Sequence, residues 1–309
     1  MRRLTGSCLT ACGWSNIVSA PSEKIREILN FSGYPFQHHC ADRISRLEQY
    51  QISAEVPFTY PPTNGPLLGV HGTMDLLAAR PDSKNRLLVC FVIECKKAND
   101  KIKNWILLPN KQQSPRWSTF IISRLPPGER EQLSVTRGVT FPELGYGKSG
   151  QYDYCVNGIE VNTALTSANQ DKGEKIYNPL KQVAHGVRAF ESAHPKVVEG
   201  IEYFRESKHQ ERFYIPVVIT TANLYVIDFP LDKVTQGEVP AGDLSLGDAK
   251  KWISYEFPLP DYLSYEIDRA EEGTVFVNKR TVFVVNDKAI DEFFSKAVDV
   301  QNLRATPTE

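Results

Sequence analysis

Apolar positions along this chain gather in short runs separated by turn residues, and the sharpest run spans residues 67–97. Leu68–Ala79 and Leu87–Cys95 predict two apolar strands, with Pro81-Asp82-Ser83-Lys84-Asn85 supplying the turn between them. Upstream, Ser22 reads as the N-cap of a helix whose apolar face is Ile25, Ile28 and Leu29, ended by Gly33-Tyr34-Pro35. A second, polar helix is expected over 37–49. A strand over Ile52–Tyr60 follows, then the turn Pro61-Pro62-Thr63-Asn64-Gly65-Pro66. From Asn99 to about Lys172 the pattern loosens. Ile102, Trp105, Ile106 and Leu107 suggest a short amphipathic helix, and 117–123 (WSTFIIS) a strand. Asn178-Pro179 opens a helix in which Leu180, Val183, Val187 and Phe190 form the core stripe. Phe213–Thr220 reads as a buried strand, and Leu224–Ile227, Trp252–Phe257 and Val275–Val285 as further strands. Asn286 caps a last helix through Val298, and the residues after Asn302 read as disordered. No internal repeat is visible.

Charge changes the picture only inside the hairpin. Asp75 interrupts its first strand, and Glu94 and Lys96 close its second, after the apolar run Leu87 to Ile93. A charge among Val, Ile and Phe is costly unless it is paired or holds a metal. Side chains alternate along a strand, so Glu94 and Lys96 share a face. Folding about a turn centre near residues 83–84 pairs Asp75 with a position close to 92 and makes Glu94 its diagonal neighbour. Two carboxylates so placed can share a divalent ion, with a lysine beside them to hold a water. An acid two residues before a lysine also occurs at Asp82, Glu206 and Asp248, but only Glu94 ends a buried run. The competing reading is a buried salt-bridge network of Asp75, Glu94 and Lys96.

These residues resemble the PD-(D/E)XK nuclease superfamily, whose core carries an acid on one strand and Glu-x-Lys on the next. The look is nearest to the N-terminal nuclease domain of type I restriction motor subunits, whose strand often ends in Ile-Glu-Cys-Lys, as Ile93-Glu94-Cys95-Lys96 does here. The usual Pro-Asp is Met74-Asp75. The resemblance implies an α+β, restriction-endonuclease-like αβββαβ core with a mixed central sheet, a long insertion, and extra C-terminal strands plus a helix. The corresponding division is an N-terminal extension at 1–20, a core at 21–230 interrupted over about 99–172, and C-terminal elements at 231–309. It further implies Mg²⁺, for which Mn²⁺ can substitute, held by Asp75, Glu94 and the Cys95 carbonyl. Lys96 would then orient or deprotonate the water. A first-helix Glu, Glu23 with Glu27 as competitor, and Gln182 on the later helix would support the site. The position four after Gln182, often Tyr in such proteins, is Gly186. The implied activity is DNA endonuclease in a prokaryotic defence or restriction-like system, with a partner subunit. RNA cleavage and a catalytically idle, nucleic-acid-binding or scaffold subunit are the alternatives.

Length and composition narrow this little. The 309 residues suit one elaborated domain, 41% hydrophobic and 24% charged content are ordinary for a globular protein, and no apolar run suits a membrane span. A cytoplasmic protein is expected, and a homo-oligomer is compatible with the sequence. Net charge of −1 argues against coating nucleic acid through bulk charge. Locally, however, Lys96, Lys97, Lys101, Lys103, Lys111 and Arg116 face only Asp100, while 261–272 is acidic. Lys97, Lys101, Lys103 and Lys111 are therefore the candidate nucleic-acid contacts, with Trp105 and Trp117 available for stacking. Six cysteines without a Cys-x-x-Cys pair read as reduced thiols, and His38-His39-Cys40 as ordinary residues rather than a zinc half-site. Gly145-Tyr146-Gly147-Lys148-Ser149 fails as a phosphate loop because Pro142 stands where a glycine is needed. His185 reads as a surface histidine.

Overall fold

The computed structural model describes residues 19–60, 70–82, 87–109, 120–124, 134–139, 154–162, 164, 174–192, 211–240, 242, 245–269 and 273–296. Lys111, Trp117, residues 145–149 and the residues after Asn302 lie outside them. The chain forms two compact units, 1–35 and 36–309.

In the first unit, α1 spans Ser19–Ser32, so Ser22 lies inside the helix and does not begin it. Gly33 follows with φ of 82°, the left-handed conformation in which glycine ends helices without a Cβ penalty. Ile25, Ile28 and Leu29 are exposed.

The second unit is an α+β body built on one large mixed sheet. Helix α2 (Tyr34–Ser45) leads into β1 (Gln51–Tyr60), β2 (Val70–Asp82) and β3 (Leu87–Lys96), an antiparallel meander. Next come β4 (Asn104–Pro109), β5 (Phe120–Arg124), β6 (Ser134–Val139) and β7 (Tyr154–Val161), then α3 (Glu174–Ser192) and β8 (Glu211–Thr220). β9 (Asn223–Asp228), β10 (Ser245–Leu246), β11 (Trp252–Pro258), the hairpin β12 (Tyr265–Arg269) and β13 (Gly273–Val277), β14 (Lys279–Asn286) and α4 (Ile290–Ser295) complete the described elements. The sheet order is β1-β2-β3-β8-β14-β11-β7-β4-β9-β10, with β5 and β6 paired beside β8. β3, β8 and β14 run parallel, so their C-terminal ends, Lys96, Thr220 and Asn286, fall in one row.

Several expectations are corrected. Residues 104–109 are a strand and not a helix: Trp105, Ile106 and Leu107 are all buried, and a continuous apolar run buried on both faces suits a strand held between two others. The stretch expected to be an insertion thus gives β4 and β7 to the main sheet. Pro179 is internal to α3, which starts at Glu174. Residues 275–285 are two strands, and β14 lies inside the sheet beside β8. Asn286 does cap the turn leading into α4, accepting a hydrogen bond from the Lys288 N–H, but the helix stops at Ser295.

Both faces of the sheet are covered. α3 lies on a core of Met74, Leu77, Val92, Tyr214 and Val218. On the opposite face α2 and α4 pack over Leu76, Phe91, Ile93, Val217 and Phe283. Edge-to-face contacts of Phe91 with Tyr50 at 5.8 Å and Phe294 at 5.1 Å fill that second layer. Arg43 of α2 makes a two-pronged bond to Asp291 of α4 at 3.0 and 2.7 Å and reaches the Asp287 carbonyl at 2.6 Å. A buried pair, Arg280 of β14 with Glu191 at 2.9 and 2.5 Å, ties the end of α3 to the sheet.

Candidate active site

The site grows out of the β2–β3 register. Asp82 pairs with Leu87 and Leu77 with Val92, and Leu76↔Ile93 is the last regular pair. Continuing that register sets Asp75 opposite Glu94 itself, not opposite residue 92. The turn is centred one residue later than turn chemistry alone suggests, and this moves every cross-strand partner by two. The Cys95 backbone N–H donates to Asp75 Oδ2 at 2.7 Å, which locks the carboxylate against β3.

On β3 the residues facing α3 are Leu88, Cys90 and Val92, and alternation puts Glu94 and Lys96 next on that face. Glu94 is only 9% exposed, and its Oε2 is buried with no hydrogen-bond partner. Burial, and then the neighbouring Asp75 charge, push its pKa up to about 9, with Lys96 opposing and Glu55 adding to the rise. Burial also raises Asp75. The Cys95 N–H and Lys96 pull it back, and Glu55 pushes it further up. Lys96 is half-buried at the strand end, in the row with buried Thr220. No ion pair within 4.0 Å joins it to Asp75 or Glu94 among the described residues.

Two residues not singled out from the sequence belong to this site. Glu55 of β1 sits where the β1–β2 register opposes Asp75, and it has φ of 53°. That left-handed conformation is rare for a non-glycine residue and uphill in energy. Gln37 of α2 clamps it: Gln37 Nε2 donates to Glu55 Oε1 at 2.6 Å and to the Asp75 carbonyl at 2.9 Å. The kink has a cause visible in the cores. Val56 and Met74 face α3, whereas Ile52, Leu76 and Ala78 face α2 and α4. Both strands therefore change face at the Glu55–Asp75 pair. Regular alternation of Ile52, Ala54, Val56 and Phe58 hides this in the sequence, and nothing in the sequence around Gln37 marks it.

The remaining candidates separate. Gln182 of α3 donates to the Thr73 carbonyl at 3.2 Å, bracing the backbone of β2 two residues before Asp75. At Gly186 an added Cβ would collide with the Met74 thioether, its Cγ lying at 2.8 Å, so a larger side chain is excluded where the helix crosses β2. His185 is buried, contrary to expectation. Its Nδ1–H donates to the Lys181 carbonyl at 2.8 Å, its Nε2 accepts from the Tyr262 hydroxyl at 3.0 Å, and burial lowers its pKa. Glu23 is an exposed residue of α1 with Arg26 3.7 Å away, and Glu27 is exposed as well. The Cys95 thiol packs toward the α2 core, where a hydrogen bond with Cys40, then burial, raise its pKa. His38 and His39 are exposed and Cys40 is buried. Lys97 and Lys101 are exposed in the turn after β3, and Lys103 pairs with Asp100 at 3.0 Å.

Among the described residues no three His, Cys, Asp or Glu side chains converge closely enough to enclose an ion by themselves. The site thus offers two inner carboxylates and a third further out. No helix among the described residues is long and apolar enough to cross a membrane. Comparison of the chain with family models, with curated proteins and with solved structures finds no match.

Proposed function

We propose that this chain is a metal-dependent nuclease that hydrolyses phosphodiester bonds of DNA, working at Asp75, Glu94 and Lys96. The observation that carries the reading is Glu94 Oε2, a buried carboxylate oxygen with no partner, set opposite Asp75 at the end of an apolar strand. A buried orphan oxygen is destabilising unless a proton or a cation meets it, and a second carboxylate across the strand favours the cation. The donors fit Mg²⁺, which keeps several waters and takes one or two carboxylates. When bound, such an ion would supply an activated water and neutralise charge on the phosphate.

The chain's own residues do the rest. Asp75 is held by the Cys95 N–H, which leaves Oδ1 for a ligand, and the Cys95 carbonyl is the candidate third protein ligand. Lys96, free of any ion pair to the carboxylates, can hold a water or a phosphate oxygen and offset developing charge. Gln182 and Gly186 fix β2 beneath the site. Lys97 and Lys101, exposed just beyond Lys96, would meet the phosphate backbone. The rival salt-bridge network lacks the ion pair that it requires.

Support also comes from the succession α2-β1-β2-β3 and, after the intervening β4 to β7, α3-β8, with β3 and β8 parallel, which is compatible with a restriction-endonuclease-like αβββαβ core carrying an insertion. DNA as substrate, and a partner subunit of a defence system, follow from the resemblance to restriction-type nucleases. The test is incubation of the purified chain with plasmid, single-stranded DNA and RNA, in Mg²⁺ and in EDTA, beside Lys96→Ala. Cleavage of DNA that requires Mg²⁺ and is lost in the variant, with binding retained, is the expected result. No cleavage of any substrate by the parent would point to the idle scaffold, and RNA cleavage alone would move the substrate.

A further inference from the structure

We propose that Glu55, clamped by Gln37, is a positioning residue of this site: an outer carboxylate that strengthens divalent-cation binding by Asp75 and Glu94 and holds a water of the bound ion. The inference rests on the proposed metal-dependent reading and adds residues that reading does not need. Glu55 lies opposite Asp75 in the β1–β2 register, as Asp75 lies opposite Glu94 in the next, so three acids from three adjacent strands fall in one row. The row is more than an acidic cluster, because Glu94 within it is nine-tenths buried and carries an oxygen without a partner.

Glu55 is not an inner ligand, since no three such side chains converge on one point among the described residues. It is nonetheless close enough for its charge to be felt by both Asp75 and Glu94. Its backbone adopts φ of 53°, and one Gln37 amide bonds both its carboxylate and the Asp75 carbonyl. A merely solvated strand residue needs neither the strained backbone nor the clamp. Gln37 holds the carboxylate of the exposed Glu55 through Oε1, which leaves Oε2 to accept from a metal-bound water.

The experiment is calorimetric titration with Mn²⁺ of the full chain, of Asp75→Asn, of Glu55→Gln and of Gln37→Met, each with a metal-free melting curve. Glu55→Gln keeps the acceptor for Gln37 and removes only the charge, so its metal-free melt should match the parent's. Its Mn²⁺ affinity should fall by roughly 10–100-fold, as the loss of an outer-sphere partner does elsewhere. Gln37→Met should weaken binding in the same direction. The Mg²⁺ concentration needed for half-maximal cleavage should rise in both. If the parent binds Mn²⁺, Asp75→Asn does not, and Glu55→Gln binds as the parent does, the role of Glu55 is refuted and the nuclease reading stands. If the parent itself binds no Mn²⁺, both fall together.

Discussion

Glu94 gives the site a measurable signature before any substrate is added. Its carboxyl has an ordinary value of 4.5 and is pushed up to about 9 in the fold by burial and by Asp75. Between those values the folded protein holds a proton that the unfolded chain releases. Unfolding is then favoured as pH rises, by up to about 1.4 kcal/mol per pH unit for a single group. Asp75, also raised, adds in the same direction just above its own ordinary value. His185 has the opposite sign, since a lowered imidazole destabilises the fold as pH drops below 6.5, so the informative window is pH 7 to 8. In EDTA, urea denaturation should show the parent losing about 1 kcal/mol across that unit. Glu94→Gln, which cannot ionise, should be flat and should exceed the parent at pH 7 by about 3 kcal/mol. Subtracting the two proteins cancels every titrating group that is not coupled to Glu94. Saturating Mg²⁺ should flatten the parent's slope, because the ion holds the pair deprotonated in the fold as it already is in the unfolded chain, and should stabilise the parent by mass action. Parent and variant curves that run parallel from pH 7 to 8 in EDTA would show that Glu94 is ionised in the fold, and the electrostatic account of the site would fail.

Two further predictions concern the scaffold. Gly186→Ala should lower stability by about 1–3 kcal/mol, because the methyl collides with the buried Met74 side chain. Chemical denaturation measures it, and pairing it with Met74→Ala should restore part of the loss. Arg280→Met should cost about 3–5 kcal/mol by stranding buried Glu191, and the double variant with Glu191→Leu should recover most of that in the same assay.

The hairpin and its three charged residues were legible because an acid and an acid-lysine pair broke otherwise apolar strands. Burial makes such interruptions informative. The strands over 51–60, 213–220, 224–227 and 252–257 were legible for the same reason of run length and turn chemistry. Residues 104–109 were misread because Trp105, Ile106 and Leu107 fit a helix stripe as well as a doubly buried strand, and only the neighbours β7 and β9 decide between them. The Asp75 partner was missed by a turn centre one residue off, a choice that the polar residues 83–86 leave open. His185 was misplaced because its partners, the Lys181 carbonyl and Tyr262, satisfy a buried imidazole from one helical turn away and from a 3₁₀ turn distant in sequence. Glu55 and Gln37 depend on a backbone kink and on a helix reaching across two strands, neither of which has a local sequence sign.

The kink also accounts for the departure at Gly186 from the pattern that the resemblance suggests. Met74 and Leu76 are two apart and would share a face in a regular strand, yet Met74 faces α3 and Leu76 faces α2 and α4. The switch between them turns the intervening Asp75 so that its carboxylate meets the Cys95 N–H and its carbonyl meets Gln37. It also drives the Met74 thioether up into the path of α3. A helix crossing there must present a residue without a side chain, which is what Gly186 does. A tyrosine at that position would require the Met74 side chain to lie elsewhere. With the aromatic excluded, the bracing of β2 is left to Gln182 one turn earlier, through the Thr73 carbonyl. The left-handed glutamate and the crossing glycine are thus two consequences of one change of face, and it falls beside the pair of carboxylates that the β2–β3 register sets opposite each other.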